Sequence, residues 1–149
     1  MICPFCGHAE TRVVDKRDAE GISVTKRRRG CLKCGRRFNT LESMEAIGLR
    51  VAKKDGRREN FDREKLKGGI LKACEKRPIT SEMIEKITVK VEEKLRKRGK
   101  EVKSALIGEF VSQELKKVDK VAYIRFASVY RDFRDVSDFK KEIKELGNG

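Results

Sequence analysis

Cys3-Pro4-Phe5-Cys6-Gly7 and Cys31-Leu32-Lys33-Cys34-Gly35 are one short phrase written twice. A Cys-x-x-Cys turn offers two sulfurs from a single tight loop, and two such loops supply the four thiolates of a tetrahedral structural zinc site. Gly7 and Gly35 stand where the chain must swing around the metal with positive φ, which glycine reaches without steric cost. The pair therefore predicts a zinc ribbon holding one structural Zn2+ through Cys3, Cys6, Cys31 and Cys34. Paired disulfides or four unrelated thiols would leave the doubling unexplained. His8 lies beside the first knuckle, but four cysteines already complete a tetrahedron, so it is read as non-ligating. Cys74 is read as a small apolar core side chain. Residues 7–30 leave room for an antiparallel hairpin between the knuckles.

A ribbon of roughly 45 residues is too small to hold itself together by apolar burial, so the metal must supply most of its folding free energy, on the order of 10 kcal/mol or more. The rest of the 149-residue chain is long enough for one real core. Lys and Arg number 38 against 24 Asp and Glu, a formal +14 that favours a polyanionic partner. Composition alone is weak evidence, because abundant Lys and Glu without Trp also suits a heat-adapted source. No apolar run approaches the ~20 residues that span a bilayer, and Met1 runs straight into the first knuckle. The expectation is a cytoplasmic, nucleoid-associated protein with no membrane partner, whose thiols stay reduced.

Between the knuckles, Thr11-Arg12-Val13-Val14-Asp15 and Ile22-Ser23-Val24-Thr25-Lys26 read as strands around a polar turn at Asp18-Ala19-Glu20-Gly21. The second runs into Lys26-Arg27-Arg28-Arg29. Four consecutive cations on an extended segment point to both faces of a hairpin, where they repel one another unless an anion lies alongside. Arg17, Arg36 and Arg37 extend the set. A solvated charge run is the plainer reading of any one of these residues. Their position around a metal-rigidified hairpin, of a size to enter or straddle a groove, favours DNA.

Cys3-Pro4-Phe5-Cys6-Gly7-His8, then Asp15-Lys16-Arg17, then Arg27-Arg28-Arg29-Gly30-Cys31-Leu32-Lys33-Cys34-Gly35-Arg36-Arg37-Phe38-Asn39-Thr40 resemble the NrdR family, bacterial transcriptional repressors of ribonucleotide reductase genes. The likeness continues through the second half of the chain. Gly30, Asn39 and Leu41 depart from the residues usual in that family, and none of them is a metal ligand.

Around Leu41 to Gly48 the period is lost, and Gly48 marks a domain boundary. Residues 49–61 read as a second hairpin about Asp55-Gly56. Asp62 is the expected N-cap of a helix carrying Leu66, Ile70 and Cys74. Lys53, Lys54 and Lys65 converge from this hairpin and helix in a way that could hold a triphosphate without a Gly-rich loop. No GxxxxGK[ST] run is present, which argues against a P-loop ATPase. Val51 through Lys65 is similar to the opening of the ATP-cone, a nucleotide-sensing domain. That resemblance implies Val51 in an adenine pocket, Lys53, Lys54 and Lys65 on phosphates, Glu59 at the nucleoside, and ATP and dATP as allosteric effectors. It also implies that the hydroxyls of Tyr123 and Tyr130 reach the nucleotide.

Further helices are expected from Thr80 or Ser81 with Ile84, Ile87, Val91 and Leu95 on one face, from Ser104, and from Asp119 through Phe133. In the last of these, Phe126, Val129, Tyr130 and Phe133 are expected to share a face. A final amphipathic helix, Ser137 to Leu146, carries Phe139, Ile143 and Leu146 and suits a subunit contact. The whole predicts an α+β chain: a zinc-ribbon DNA-binding domain over 1–48, a mainly helical ATP-cone with a short β-hairpin over 49–139, and a C-terminal helix end over 140–149. No nucleophile is paired with a base, so no enzyme is expected. The expected function is repression through promoter DNA, with nucleotide-dependent homo-oligomerisation. The competing class is a zinc-ribbon RNA-binding or ribosome-associated module, for which the ribbon offers only Phe5 and Phe38 as stacking rings.

Overall fold

A computed structural model describes residues 1–44, 48–131 and 133–148. The chain forms two compact units, Met1–Glu45 and Ala46–Gly149. Residues 45–47 of the expected boundary, and Asp132 of the expected fourth helix, lie outside the described residues.

The first unit is a three-stranded antiparallel sheet in the order β1 (Thr11–Asp18), β2 (Val24–Cys31), β3 (Arg37–Ser43). The first two strands are the expected hairpin, with Val14 the extra residue of a bulge between Val13 and Asp15. The third strand was not expected. Arg37 reads only as one more cation after the second knuckle, yet the segment it opens pairs with the free edge of β2 from Gly30↔Arg37 to Val24↔Ser43. Backbone donors and acceptors along that edge gain partners, which makes β2 the central strand. Among the described residues of this unit, only Cys3, Val24 and Cys31 are buried apolar side chains. A unit with so little core depends on its cross-link.

The second unit opens with the expected hairpin, β4 (Arg50–Ala52) and β5 (Arg58–Asn60), turned at Gly56. A third strand, β6 (Glu101–Lys103), pairs in parallel with β4, giving the order β5-β4-β6. Three residues carry no readable period, so only their long-range partner identifies β6 as a strand.

Among the described residues this unit has five helices. Asp62 caps α1 (Arg63–Ala73) by accepting the Glu64 and Lys65 amides at 3.0 and 3.2 Å. Thr80, of the two candidates, caps α2 (Ser81–Lys97) through the Met83 amide at 3.2 Å. Its residues Ile84, Ile87, Val91 and Leu95 enter the core as their spacing requires. Then come α3 (Ser104–Val118), α4 (Lys120–Tyr130) capped by Asp119, and α5 (Val136–Gly147). The α4 expectation needs correction. The helix stops at Tyr130, and Val129 is 84% exposed instead of sharing the buried face. Ala122 and Ala127, both wholly buried, let α4 approach its neighbours along a face centred on Ala122, Tyr123 and Ala127, which turns Val129 outward. Phe133 lies beyond the helix and meets Phe139 edge-on at 5.7 Å. Leu146 of α5 is buried in the unit's own core, while Ile143 is exposed.

Candidate functional site

In the first unit the two knuckles repeat one hydrogen-bond pattern. The Gly7 amide donates to the Cys3 carbonyl (2.9 Å) and the Gly35 amide to the Cys31 carbonyl (3.1 Å). The Cys3 and Cys31 amides donate to the carbonyls of His8 and Arg36. Gly7 and Gly35 adopt φ of +72° and +71°, as a turn about a metal demands. These two turns bring the four sulfurs within 4.8 Å of one another, with Cys3 Sγ 3.7 Å from Cys34 Sγ and Cys6 Sγ 3.6 Å from Cys31 Sγ. A zinc ion bonded to four thiolates at ~2.3 Å holds its sulfurs about 3.8 Å apart, so the cluster fits the ion. The Cys34 amide, then that of Lys33, points at Cys31 Sγ and pulls its pKa down to about 6, with burial acting in the opposite sense. Such a sulfur is readily available to a metal as thiolate. The cluster binds zinc.

The cations expected to meet DNA all lie in this unit. Arg17 and Lys26 occupy paired positions on β1 and β2, and Arg27, Arg28 and Arg29 continue along β2. Arg36 and Arg37 follow the second knuckle, with the Arg36 guanidinium 5.2 Å from the centre of the Phe5 ring. Phe5 in turn meets Phe38 edge-on at 6.5 Å.

In the second unit the expected nucleotide residues divide between two cavities. Val51, Lys53, Glu59 and Lys65 line a cavity of about 230 Å³, closed by Phe61, Leu66, Ile107, Val111 and Phe126. Apolar walls with two lysines and two carboxylates, Glu59 and Asp62, suit a flat base carrying an anionic tail. The first turn of α1, with Asp62 and Lys65, faces this space, so the positive end of its dipole adds to the lysines. Lys53 Nζ lies 3.7 Å from the Glu59 carboxylate, which holds the lysine at the rim.

Lys54, Tyr123 and Tyr130 line a second cavity, of about 590 Å³, with Ser112, Lys116 and Arg131. Phe126 of the first cavity and Tyr130 of the second stack at 6.1 Å, so this ring pair forms a shared wall. The Tyr130 hydroxyl donates to the Ala105 carbonyl at 2.6 Å, and the ring lies across Gly108, where an added Cβ would collide with it. The Tyr123 hydroxyl donates to the buried Glu142 carboxylate, which also accepts from Arg131 at 2.8 Å. Burial, then this hydrogen bond to an anion, pushes the Tyr123 pKa up to about 12.

Residues 1–42 match the family described as "Transcriptional repressor NrdR-like, N-terminal domain", and residues 49–136 match the family described as "ATP cone domain". The chain is 52% identical to "Transcriptional repressor NrdR" of Petrotoga mobilis over 149 residues, covering 99% of each chain. Against the protein of that name from Thermotoga neapolitana it is 54% identical over 147 residues, 98% of this chain and 94% of the relative. For Myxococcus xanthus the figures are 51% over 147 residues, 98% and 88%. The chain belongs to the NrdR family of transcriptional repressors.

These relatives are named as transcriptional repressors, a role other than catalysis. Within this NrdR family member, the four cysteines picked out in the sequence are brought together by the fold. Most of the first cavity's wall was missed, because Phe61 comes from the link between β5 and α1, Ile107 and Val111 from α3 and Phe126 from α4, and their spacing announces only a core. Glu142 was missed for a similar reason: on an amphipathic helix a carboxylate reads as solvent-facing until its partners are known. Among the described residues, no helix is long and apolar enough to cross a membrane.

Proposed function

We propose that this chain represses ribonucleotide reductase genes by binding their promoter DNA through the zinc ribbon, under control of ATP or dATP bound in the cone. The observation that carries the reading is the presence in one chain of a four-thiolate ribbon dense in cations and an apolar cavity edged by Lys53, Lys65 and Glu59. One ribbon offers few phosphate contacts, so tight binding requires several ribbons held together. Nucleotide therefore acts by selecting a homo-oligomer that sets the spacing between ribbons. The dATP-bound form is the repressing one, which ties reductase synthesis to the supply of deoxynucleotides. The phosphates meet Lys53 and Lys65, Val51 lies against adenine, and Glu59 meets the nucleoside. Lys54, Tyr123 and Tyr130, around the neighbouring cavity, complete the nucleotide-responsive set. A single-stranded RNA partner would call for several rings to stack on bases, whereas the ribbon sequence offers only Phe5 and Phe38, which meet each other edge-on.

Mass in solution, measured with ATP, with dATP and with neither, tests this. The proposal expects a change of assembly state between the two nucleotides. A single mass under all three conditions contradicts it.

A further inference from the structure

The register of the ribbon sheet sorts its charges by face. Residues directly opposite one another in antiparallel strands project to the same side. One face carries Arg12, Arg17, Lys26, Arg28 and Arg37 with a single carboxylate, Asp15. The opposite face carries Lys16, Arg27 and Arg29 with two, Asp18 and Glu42. The basic run 26–29 is thus divided in two by the pleat. Arg27 pairs with Glu42 at 3.1 Å, as Arg17 pairs with Asp15 on the cationic face, and the Nε atoms of Arg27 and Arg29 are buried without a hydrogen-bond partner. Arg28, by contrast, is exposed, and with Asp15, Arg17, Lys26 and Asn39 it borders a shallow concavity of about 360 Å³.

Along the cationic face the residues fall into three rows across the strands. The middle row is Asp15, Arg28 and Asn39. On one side of it lie Arg12, Gly30 and Arg37, and on the other Arg17, Lys26 and Leu41. The two flanking rows are separated on β2 by the step from Lys26 to Gly30, about 13 Å at ~3.3 Å per residue. The major groove of B-form DNA is about 12 Å wide between its phosphate walls. The middle row has the three side-chain types whose geometry matches base edges there: arginine for guanine, an amide for adenine, a carboxylate for the cytosine amino group. Strands are known to serve as readers in this groove.

We infer that the ribbon enters the major groove of duplex DNA with the Arg28 face alone. Asn39 and Arg28 read bases, and the Arg12–Arg37 and Arg17–Lys26 rows hold the two phosphate walls. The opposite face, with Arg27 and Arg29, stays away from the DNA. This rests on the proposed DNA-binding role and assigns the face and the base-reading residues within it.

The test uses the full-length zinc-loaded chain in the nucleotide state that binds duplex more tightly. Two readouts are taken: the sequence preference selected from a pool of duplexes with a randomised centre, and the salt dependence of binding to a random-sequence duplex. Variants are accepted once their zinc content matches the parent chain. Arg17→Ala should lower the salt slope by about 0.9 and leave the selected sequence unchanged. Asn39→Ala should leave the slope unchanged and reduce discrimination at one base pair by about 5-fold or more. Arg27→Gln, which keeps the buried stem, should change neither. A slope lowered as much by Arg27→Gln as by Arg17→Ala, or a selected sequence unmoved by both Asn39→Ala and Arg28→Ala, would overturn the assignment while leaving DNA binding intact. Failure of the parent chain to bind any duplex would overturn the DNA-binding role as well.

Discussion

At the scale of single residues, the ribbon and the cone depend on different chemistry. Cys31 is buried, has its thiolate favoured by two amides, and is one of four points of attachment. Removing it leaves three ligands and almost no apolar core to compensate. Cys31→Ser should therefore release zinc and unfold Met1–Glu45 while the second unit keeps its helices, which metal analysis and circular dichroism would register together. Gly108 is the corresponding single point in the cone. Because the Tyr130 ring occupies the space a Cβ would need, Gly108→Ala should displace the ring from Phe126 and cost about 1–3 kcal/mol in urea unfolding. The sulfur ligands were plain in the sequence, since a doubled Cys-x-x-Cys-Gly has one simple physical explanation. Gly108 was not. A glycine in a helix announces its weak propensity, not the ring from another helix that needs its space.

At the scale of elements, helix starts were legible and sheet edges were not. Asp62, Thr80 and Asp119 each cap the helix that follows, because capping is a contact over two or three residues that the sequence writes out in full. β6 exists through a partner far along the chain, β4, and β3 through its neighbour β2 across the second knuckle, and neither carries a readable period of its own. The buried polar contacts between helices are likewise long-range. Arg63 on α1 reaches Glu92 at 2.5 Å and also Glu85, both on α2, and Lys67 adds a contact to Glu85 at 3.1 Å. Burial pushes the Glu92 pKa up despite Arg63. Burial also acts against Glu85, but Arg63 and Lys67 more than offset it and hold its pKa below the usual range. Arg63→Ala would take the cation from the buried Glu92 and one of two cations from the buried Glu85, which keeps Lys67, and should cost about 3–5 kcal/mol, measured by denaturant unfolding.

Asp119 gives the pH dependence at this scale. The Ala122 amide first, and then Arg77, hold its pKa below the usual carboxylate range. A depressed pKa in the folded state contributes stability that is present above the unfolded value, near ~3.9, and lost as pH falls through the folded one. Asp119→Asn keeps a capping side chain but loses the charge opposite Arg77. The difference in thermal midpoint between parent and variant should be largest above about pH 4 and should shrink steadily below it.

At the scale of the whole molecule, the chain joins a unit organised by a metal to a unit organised by an apolar core. The first is cross-linked by thiolates and dense in arginine. The second offers cavities edged by lysine, with a stacked Phe126–Tyr130 wall between them. If nucleotide in the cone changes DNA affinity, then DNA must change nucleotide affinity by the same factor. The most direct test is a binding titration of zinc-loaded protein onto a ribonucleotide reductase promoter duplex at one fixed salt concentration, with ATP, with dATP and with no nucleotide. The account predicts affinities that differ by about tenfold or more between ATP and dATP, within the usual range of allosteric coupling, with dATP the tighter. Identical titration curves under the three conditions would contradict it.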